Sequence, residues 1–227
     1  MSSTSEAAGF VLAGGQSSRM GCDKALLPFA ARPLIAHALS LLREAGLPAS
    51  IAGANPQARA LLASSAPVVD DPEPGLGPLA GICAALRSTS TQYAVFLPVD
   101  LPLLPASLLA YLLHHARVTG HAVTVPSIAG FSQTFPAVID RAALGALEAA
   151  LHAGTGGCFS AFQSAAACLD QPIGAVAVEL LAQSGQVTHP LGLPPLRWFL
   201  NLNTPADLRC AEAFVNRRSP ADRVSWS

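Results

Sequence analysis

The sequence predicts an α/β domain with a mostly parallel central sheet, and two observations support this fold class. Short apolar runs alternate along the chain with longer runs in which apolar residues recur at helical spacing. The 227 residues are 51% hydrophobic and only 12% charged, which excludes a disordered chain. This length is enough for one large domain. We therefore expect a single domain over 9–216, a disordered tail at 1–8 and a flexible tail at 217–227.

The predicted strands are short apolar runs bounded by glycine, proline or polar residues. The first strand, 9–12, leads into a glycine-rich loop, and the run at 93–98 is apolar throughout. Ligands of open α/β sheets bind beyond the carboxyl ends of the strands, and the acidic and glycine-rich segments of this chain follow such ends. The remaining predicted strands are 50–54, 67–70, 121–126 and 134–139.

Helices are predicted where apolar positions recur every three or four residues. Pro33 suits the first turn of the first helix, and Gly46 suits its end. Thr204 and Asp207 form a capping-box-like start for the last helix. The region 155–197 gives no clear pattern. The other predicted helices begin near 57 and cover 79–86, 107–117 and 141–151.

Charge and composition exclude several classes of function. Thirteen basic and fourteen acidic residues give a net charge of −1, so we expect no nucleic-acid binding. The most apolar window, 93–111, contains Asp100 and three prolines, so we expect no membrane-spanning helix. The segment MSSTSEAA at 1–8 has neither a basic nor an apolar region, so we expect no secretory signal, and the five scattered cysteines form no CxxC pair. We therefore expect free thiols and a cytoplasmic protein.

The strongest functional motif is the segment LAGGQSSRMGCDKALL at 12–27. Glycines allow a ligand to approach the backbone closely, and consecutive N–H groups form an anion-binding concavity. Arg19 and Lys24 add two cations within six residues. The spacing differs from the Walker A motif and from GxGxxG. We interpret the segment as a triphosphate-binding loop, with an ordinary glycine-rich turn as the alternative.

Acidic residues follow two other predicted strands. Asp100 is the single carboxylate of FLPVDLPLLP at 96–105, where an unpaired charge would be costly. It should meet the glycine-rich loop at the sheet edge, and Mg²⁺ bound by a carboxylate and phosphate oxygens is a suitable partner. A helix-capping aspartate is the alternative. Asp70 and Asp71 begin DDPEPGLGPLAG, which forms either another wall of this pocket or a plain turn.

These segments, with FLNLNTPADL at 199–208, resemble the molybdenum cofactor guanylyltransferases, which belong to a wider nucleotidyltransferase group. The segments occur in the family's order over nearly the whole chain. The motif LAGGxSxRMGxDK is shared by several nucleotidyltransferases, whereas the Gly14-Gly15 pair and Asp23 favour the guanylyl branch. The resemblance implies a Rossmann-like three-layer nucleotidyltransferase fold with a mostly parallel sheet.

The resemblance also implies a role for each matching residue. Lys24, Arg19 and Asp100 are the implied catalytic residues, with Asp100 as the magnesium ligand. Asp71 aligns with a nucleotide-site aspartate of the family, but because Asp70 is adjacent, this alignment is open by one residue. The residues implied to bind the nucleotide are Leu12, Ala13, Gly14, Gly15, Lys24, Asn55, Asp71 and Asp100.

The pterin side is implied to include Asn201 and Asn203, the paired asparagines of the C-terminal motif. Trp198 and Phe199 precede this motif and form either the floor of a pterin pocket or part of the core. The chain departs from the family pattern in the proline-rich segment after Asp71 and in the long region 155–197, so no pterin contact is transferred there.

The activity implied by the resemblance is transfer of GMP from GTP to the terminal phosphate of molybdenum-molybdopterin, with Mg²⁺ as cofactor. The attacking phosphate is already an anion, which agrees with the lack of a Ser/His/Asp motif. Alternatives are CTP transfer to the same pterin, NTP transfer to a sugar phosphate, and a non-catalytic GTP- or pterin-binding accessory protein. We expect a monomer whose partners are molybdoenzymes or cofactor-insertion proteins.

Overall fold

The computed structural model describes residues 7–14, 23–54, 56–73, 76–154 and 156–216. Its strands are β1 (Ala7–Leu12), β2 (Pro28–Phe29), β3 (Arg32–Pro33), β4 (Ala49–Ala52), β5 (Tyr93–Pro98), β6 (Val123–Ile128), β7 (Phe131–Ser132), β8 (Ala137–Asp140) and β9 (Gly174–Ala177). Its helices are α1 (Leu34–Glu44), α2 (Pro56–Leu62), α3 (Pro78–Ser88), α4 (Ala106–Thr119), α5 (Leu144–Ala153), α6 (Cys158–Cys168), α7 (Val178–Gln183), α8 (Pro195–Trp198) and α9 (Pro205–Val215). Short 3₁₀ turns cover Lys24–Leu26 and Arg141–Ala143.

Seven of the described strands form one sheet in the order β4–β1–β5–β8–β6, with β7 and β9 both paired to β6. β1 runs parallel to β4 and β5, and β9 runs parallel to β6. β8 lies between β5 and β6 and is antiparallel to both. β2 and β3 form a separate hairpin. The predicted mostly parallel sheet is confirmed, with one antiparallel strand near its centre.

Helices cover both faces of this sheet. Val95 and Leu97 of β5 pack with residues of α1 and α4 in one hydrophobic cluster. Ala94 and Phe96, which point to the opposite face, pack with α3, α5 and α6 in a second cluster. There Phe10 of β1 stacks on Phe96 with ring centroids 5.6 Å apart. The alternation of side chains along each strand therefore produces the predicted three layers.

The predicted strand at 67–70 is wrong in extent. The structure reduces it to one parallel bridge between Val68 and Ile51. Two hydrogen bonds support it, from Ile51 N to Pro67 O and from Val69 N to Ile51 O, both 2.8 Å. The pairing goes no further because Pro67 has no N–H and the chain turns at Asp71, whose carboxylate accepts from Glu73 N.

Other boundaries differ from the predictions. β1 begins at Ala7, so Ala7 and Ala8 belong to the sheet, opposite Tyr93 and Ala94 of β5, and not to the predicted tail. The predicted strand at 134–139 is shifted to β8, and β7 precedes it. The region 155–197, unreadable from its pattern, contains α6, β9, α7 and α8, all but one of them no longer than six residues. Short elements give too few periods for a clear sequence signal.

Four cysteines in the described part of the chain are free thiols, namely Cys83, Cys158, Cys168 and Cys210. Burial raises the pKa of Cys83 and of Cys158 to about 11, which keeps both protonated at neutral pH. None of the helices in the described ranges is long and apolar enough to cross a membrane.

Three backbone segments meet without side chains between them at the carboxyl edge of the sheet. A Cβ added to Gly14 would overlap with Gly53 O, and one added to Gly81 of α3 would lie 3.0 Å from Gly53 Cα. Gly53 itself has a φ of +65°, which disfavours any side chain. The loop after β1, the end of β4 and the first turns of α3 are therefore held in backbone contact.

Gly14→Ala should destabilise the protein by about 1–3 kcal/mol, because its new Cβ has to displace a backbone carbonyl. Gly145→Ala is the matched control, since Gly145 lies in α5 with nothing within 4 Å of an added Cβ. The control should leave stability unchanged or slightly raised. Denaturant unfolding measures both, and equal stability of the two variants would contradict the close approach at Gly14.

Candidate active site

A cleft of about 310 Å³ opens at the carboxyl edge of the sheet. Its walls include Leu12 and Gly14 at the end of β1, Asp100 just after β5, and Pro78 at the start of α3. Parallel strands end together at this edge, which is where open α/β sheets bind ligands. The sequence prediction that the glycine-rich loop and Asp100 converge therefore agrees with the structure.

The centre of the site is the ammonium group of Lys24. Lys24 Nζ donates to Asp100 Oδ2 at 2.9 Å and to Asn203 Oδ1 at 2.7 Å. The side chains of Lys24 and Asp100 are only 15% and 22% exposed. Partial removal from water makes this ion pair stronger than an ordinary surface pair. Segments that follow β1, follow β5 and precede α9 thus meet at one positive charge.

The position of Lys24 is fixed by the 3₁₀ turn that it begins. Asp23 Oδ1 accepts a hydrogen bond from Ala25 N at 2.9 Å, and Leu26 N donates to Asp23 O at 3.0 Å. Ala25 is fully buried and anchors the turn in the core. The Asp23 carboxylate therefore acts as a cap that orients the neighbouring lysine.

The position of Asn203 is fixed by the start of α9. Asn203 N and Thr204 N both donate to Asp207 Oδ2, at 3.1 and 2.8 Å. Asp207 N donates in return to Thr204 Oγ1 at 3.2 Å, so the predicted capping box is confirmed. Hydrogen bonding, first of all from Thr204, lowers the pKa of Asp207 and keeps it ionised. In addition, Leu202 N donates to Asp100 O at 3.0 Å.

The two adjacent aspartates after 67–69 have different partners. Asp70 forms an ion pair with Arg59 of α2, and its side chain is 91% exposed. Asp71 Oδ1 accepts from Glu73 N at 3.0 Å within a turn. Neither aspartate is among the residues that line the cleft, and the predicted nucleotide-binding role of Asp71 stays a prediction.

The other predicted nucleotide-binding residues are placed as follows. Leu12 and Gly14 line the cleft, whereas Ala13 is buried and its N–H donates to Ala52 O at 3.0 Å. Ala13 therefore ties the loop to β4. Gly15, Arg19 and Asn55 lie outside the described residues, so their roles stay predictions.

Sequence reasoning missed one wall of the cleft, formed by Gln133, Thr134 and Phe135. These residues precede β8, and the rule that ligands bind at carboxyl ends of strands does not select them. Because β8 is antiparallel, its first residue, Ala137, lies opposite Phe96 near the carboxyl end of β5. The Phe135 ring packs edge-on against Phe162 of α6 with centroids 6.0 Å apart. A signal for antiparallel pairing would have been needed to find this wall.

The open question about Trp198 and Phe199 is answered by their surroundings. Trp198 is 1% exposed, and its Nε1 donates to Leu193 O at 2.7 Å, which places it in the core. Phe199 and Asn201 line the cleft. Asn203, predicted on the pterin side with Asn201, has its observed side-chain contact with Lys24.

His189 packs against Trp198 of this aromatic segment. It stacks on Trp198 with ring centroids 5.9 Å apart. Its Nδ1 accepts from Leu191 N at 3.0 Å, so Nε2 carries the proton and donates to Leu103 O at 2.9 Å. Burial lowers the pKa of His189 below its ordinary value. The ring is therefore held neutral, with both nitrogens in use.

Acid should weaken the protein through His189. Because its folded pKa lies below the unfolded value of about 6.5, the unfolded chain binds more protons as the pH falls through 6.5, and stability decreases. His189→Gln retains an N–H donor for Leu103 O but does not titrate. We expect the free energy of unfolding of wild type to fall relative to this variant between pH 8 and pH 5. A difference that stays constant with pH would contradict the neutral ring.

A three-layer α/β fold with a lysine, a carboxylate and an amide gathered at the carboxyl edge of its sheet is the architecture of a nucleotidyltransferase. Residues 9–171 match the family described as the MobA-like NTP transferase domain. This match covers well over half of the chain, and the chain belongs to that family.

Proteins with similar sequences or structures are consistent with this family assignment. A molybdenum cofactor guanylyltransferase of Rhizobium meliloti is 35% identical over 216 residues, which cover 90% of each chain. One of Xanthomonas euvesicatoria is 44% identical over 106 residues, 46% of this chain and 52% of that protein. The crystal structure of molybdopterin-guanine dinucleotide biosynthesis protein A from Archaeoglobus fulgidus has a similar fold, with a TM-score of 0.72 and 24% identity, covering 91% of this chain and 97% of that chain.

Proposed function

We propose that this protein transfers the GMP moiety of GTP to the terminal phosphate of molybdenum-molybdopterin. A phosphate oxygen of the pterin forms a bond to the α-phosphorus, the bond from this phosphorus to the bridging oxygen breaks, and pyrophosphate leaves with the electron pair. The observation that carries the proposal is the Lys24–Asp100–Asn203 group at the edge of the nucleotidyltransferase sheet. The named activity of the Rhizobium meliloti relative, which aligns over 90% of both chains, supports the choice of substrates.

The chemistry requires positioning and charge neutralisation from the protein. Negative charge moves toward the leaving pyrophosphate, and a fixed cation nearby stabilises the transition state. Lys24 supplies this cation from an ordered turn and contacts Asp100, which lines the cleft. The attacking phosphate is an anion at neutral pH, so the reaction needs no strong general base.

The donor set of the cleft fits Mg²⁺ when substrate phosphates take part. Mg²⁺ prefers oxygen ligands and is commonly bound by one or two carboxylates together with phosphate oxygens. The cleft offers the carboxylate of Asp100 and the amide oxygen of Asn201. The described residues contain no group of three or more His, Cys, Asp or Glu that could hold a metal ion without further ligands. We therefore propose Asp100 as the protein ligand of Mg²⁺, which would neutralise phosphate charge when bound.

The acceptor side of the cleft is proposed to include the wall before β8. Gln133 and Asn201 carry amides that donate and accept, and Phe135 and Phe199 offer aromatic faces. A flat heterocycle with several N–H and C=O groups, such as a pterin, matches this combination. We also propose a cytoplasmic monomer that passes its product to molybdoenzymes or cofactor-insertion proteins.

Asp100→Asn should reduce GMP transfer by at least about 10²-fold, because it removes the charge proposed to hold the metal and to orient Lys24. Asp140→Asn is the control, since Asp140 caps the turn before α5 by accepting from Ala142 N at 2.8 Å. Both variants should fold, and only the first should lose activity. Normal turnover of Asp100→Asn at saturating Mg²⁺ would contradict the assignment of Asp100.

The choice of nucleotide tests the proposed function directly. Pure protein is incubated with molybdenum-molybdopterin, Mg²⁺ and one α-labelled NTP at a time, and the label on the pterin is measured. Guanine offers N1–H and N2–H donors that adenine lacks, so we expect GTP to be preferred over ATP by about 10² or more. Equal transfer of CMP would overturn the guanylyl assignment, and label on a sugar phosphate alone would overturn the pterin. Binding of GTP without any transfer would indicate an accessory protein.

A further inference from the structure

The carboxylate proposed to bind Mg²⁺ is also the carboxylate that binds Lys24. Lys24 Nζ lies 2.9 Å from Asp100 Oδ2, and both side chains are largely shielded from solvent. A divalent cation that bound this same oxygen would therefore lie within about 5 Å of the ammonium group, a distance at which like charges repel strongly. The two cations compete for one anionic group.

The surroundings of the pair keep Lys24 at Asp100. Asn203 Oδ1 accepts a second hydrogen bond from Lys24 Nζ at 2.7 Å. The backbone of Asn203 is held in turn by Asp207, and Leu202 N donates to Asp100 O at 3.0 Å. The ammonium thus has two oxygen partners, one from the segment after β5 and one from the segment before α9. A hydrated Mg²⁺, which loses water reluctantly, is a poor competitor for this position.

A nucleoside triphosphate changes the competition. Its phosphate oxygens offer Lys24 a stronger set of acceptors than one carboxylate, and they carry Mg²⁺ with them. When Lys24 turns to the phosphates, the Asp100 carboxylate becomes available to the metal, so the number of charge pairs is conserved. Neither exchange is favourable alone, because each would leave one charge unpaired in a partly shielded site.

We propose that Lys24 is a specificity-determining residue for the cation: it excludes a free divalent ion from Asp100 and admits one only as the complex with a nucleoside triphosphate. The inference deepens the proposed function and rests on it in one respect, that the cleft binds a metal–triphosphate complex. It assigns to Lys24 a second role, distinct from stabilising the leaving phosphates.

The first test measures Mn²⁺ binding without nucleotide by calorimetry. Lys24→Met should bind Mn²⁺ at least about tenfold more tightly than wild type, because even at the dielectric constant of water the removed repulsion is worth that factor at about 5 Å. With a GTP analogue whose α,β-bridge is methylene, the same variant should bind the metal–nucleotide complex at least about tenfold more weakly. The proposal therefore predicts that Lys24→Met changes the two affinities in opposite directions.

Two further variants separate the proposal from a general effect of charge. Arg87→Met also removes the cation of a partly exposed pair, since Arg87 Nε donates to Glu148 Oε1 at 2.7 Å, and should leave Mn²⁺ affinity at the wild-type value. Adding Asp100→Asn to Lys24→Met should abolish the gain. Tighter Mn²⁺ binding by Arg87→Met, or a gain that survives loss of Asp100, would overturn the proposal.

The wild-type protein provides a test that needs no variant. Lys24 is the only lysine of the 227-residue sequence, so ¹⁵N-lysine labelling gives a single side-chain ammonium signal. We expect this signal to stay in place when Mg²⁺ is added at about 5 mM, a concentration on the order of the dissociation constant of a weak divalent-cation site. It should shift when the GTP analogue is added at the same Mg²⁺ concentration. A shift with Mg²⁺ alone, or none with the complex, would overturn the proposal.

The outcomes distinguish this inference from the proposed function. If wild type transfers GMP but Lys24→Met shows no gain in Mn²⁺ affinity, the proposed function stands and the competition at Asp100 is overturned. If the reversal of affinities is observed but no GMP reaches the pterin, the competition stands and the proposed function fails.

Discussion

The Lys24–Asp100 ion pair joins parts of the chain that are far apart in sequence. Asn203, 179 positions from Lys24, completes the contact, and Leu202 N binds Asp100 O beside it. Removing one member of a shielded pair leaves an uncompensated charge, so the three segments stabilise one another's positions. Together with the Leu202 N–Asp100 O hydrogen bond, this contact ties the start of α9 to the carboxyl edge of the sheet.

A second constraint is steric and involves Gly14, which lines the same cleft. Gly14, Gly53 and Gly81 let the loop after β1, the end of β4 and α3 approach within backbone contact distance. The approach brings Pro78, at the start of α3, to the cleft wall. A helix start near a phosphate site adds a favourable dipole at no cost in net charge. With only 12% charged residues, the chain would build the proposed phosphate site largely from backbone groups and one lysine.

Much of this arrangement could be predicted from sequence, for identifiable reasons. The strand at 93–98 and the Thr204–Asp207 capping box were predicted because both depend on residues close in sequence. The convergence of Gly14 and Asp100 followed from the rule on strand ends. The hydrogen bond from Lys24 to Asn203 was not predicted. It depends on where α9 packs against the sheet, and α9 follows the region 155–197, which gave no clear sequence pattern. Tertiary contacts of this kind leave no periodic signal in the chain.

The wall formed by Gln133, Thr134 and Phe135 shows how strand direction decides which residues reach a site. In a wholly parallel sheet, residues before a strand lie at the opposite edge from the ligand. β8 reverses this relation, so the segment that enters it crosses the carboxyl ends of its neighbours. In the proposed reaction, the nucleotide loop follows a parallel strand while a different wall faces the acceptor. One antiparallel strand thus lets a single sheet edge present two chemically different surfaces, as a reaction between two unlike substrates requires.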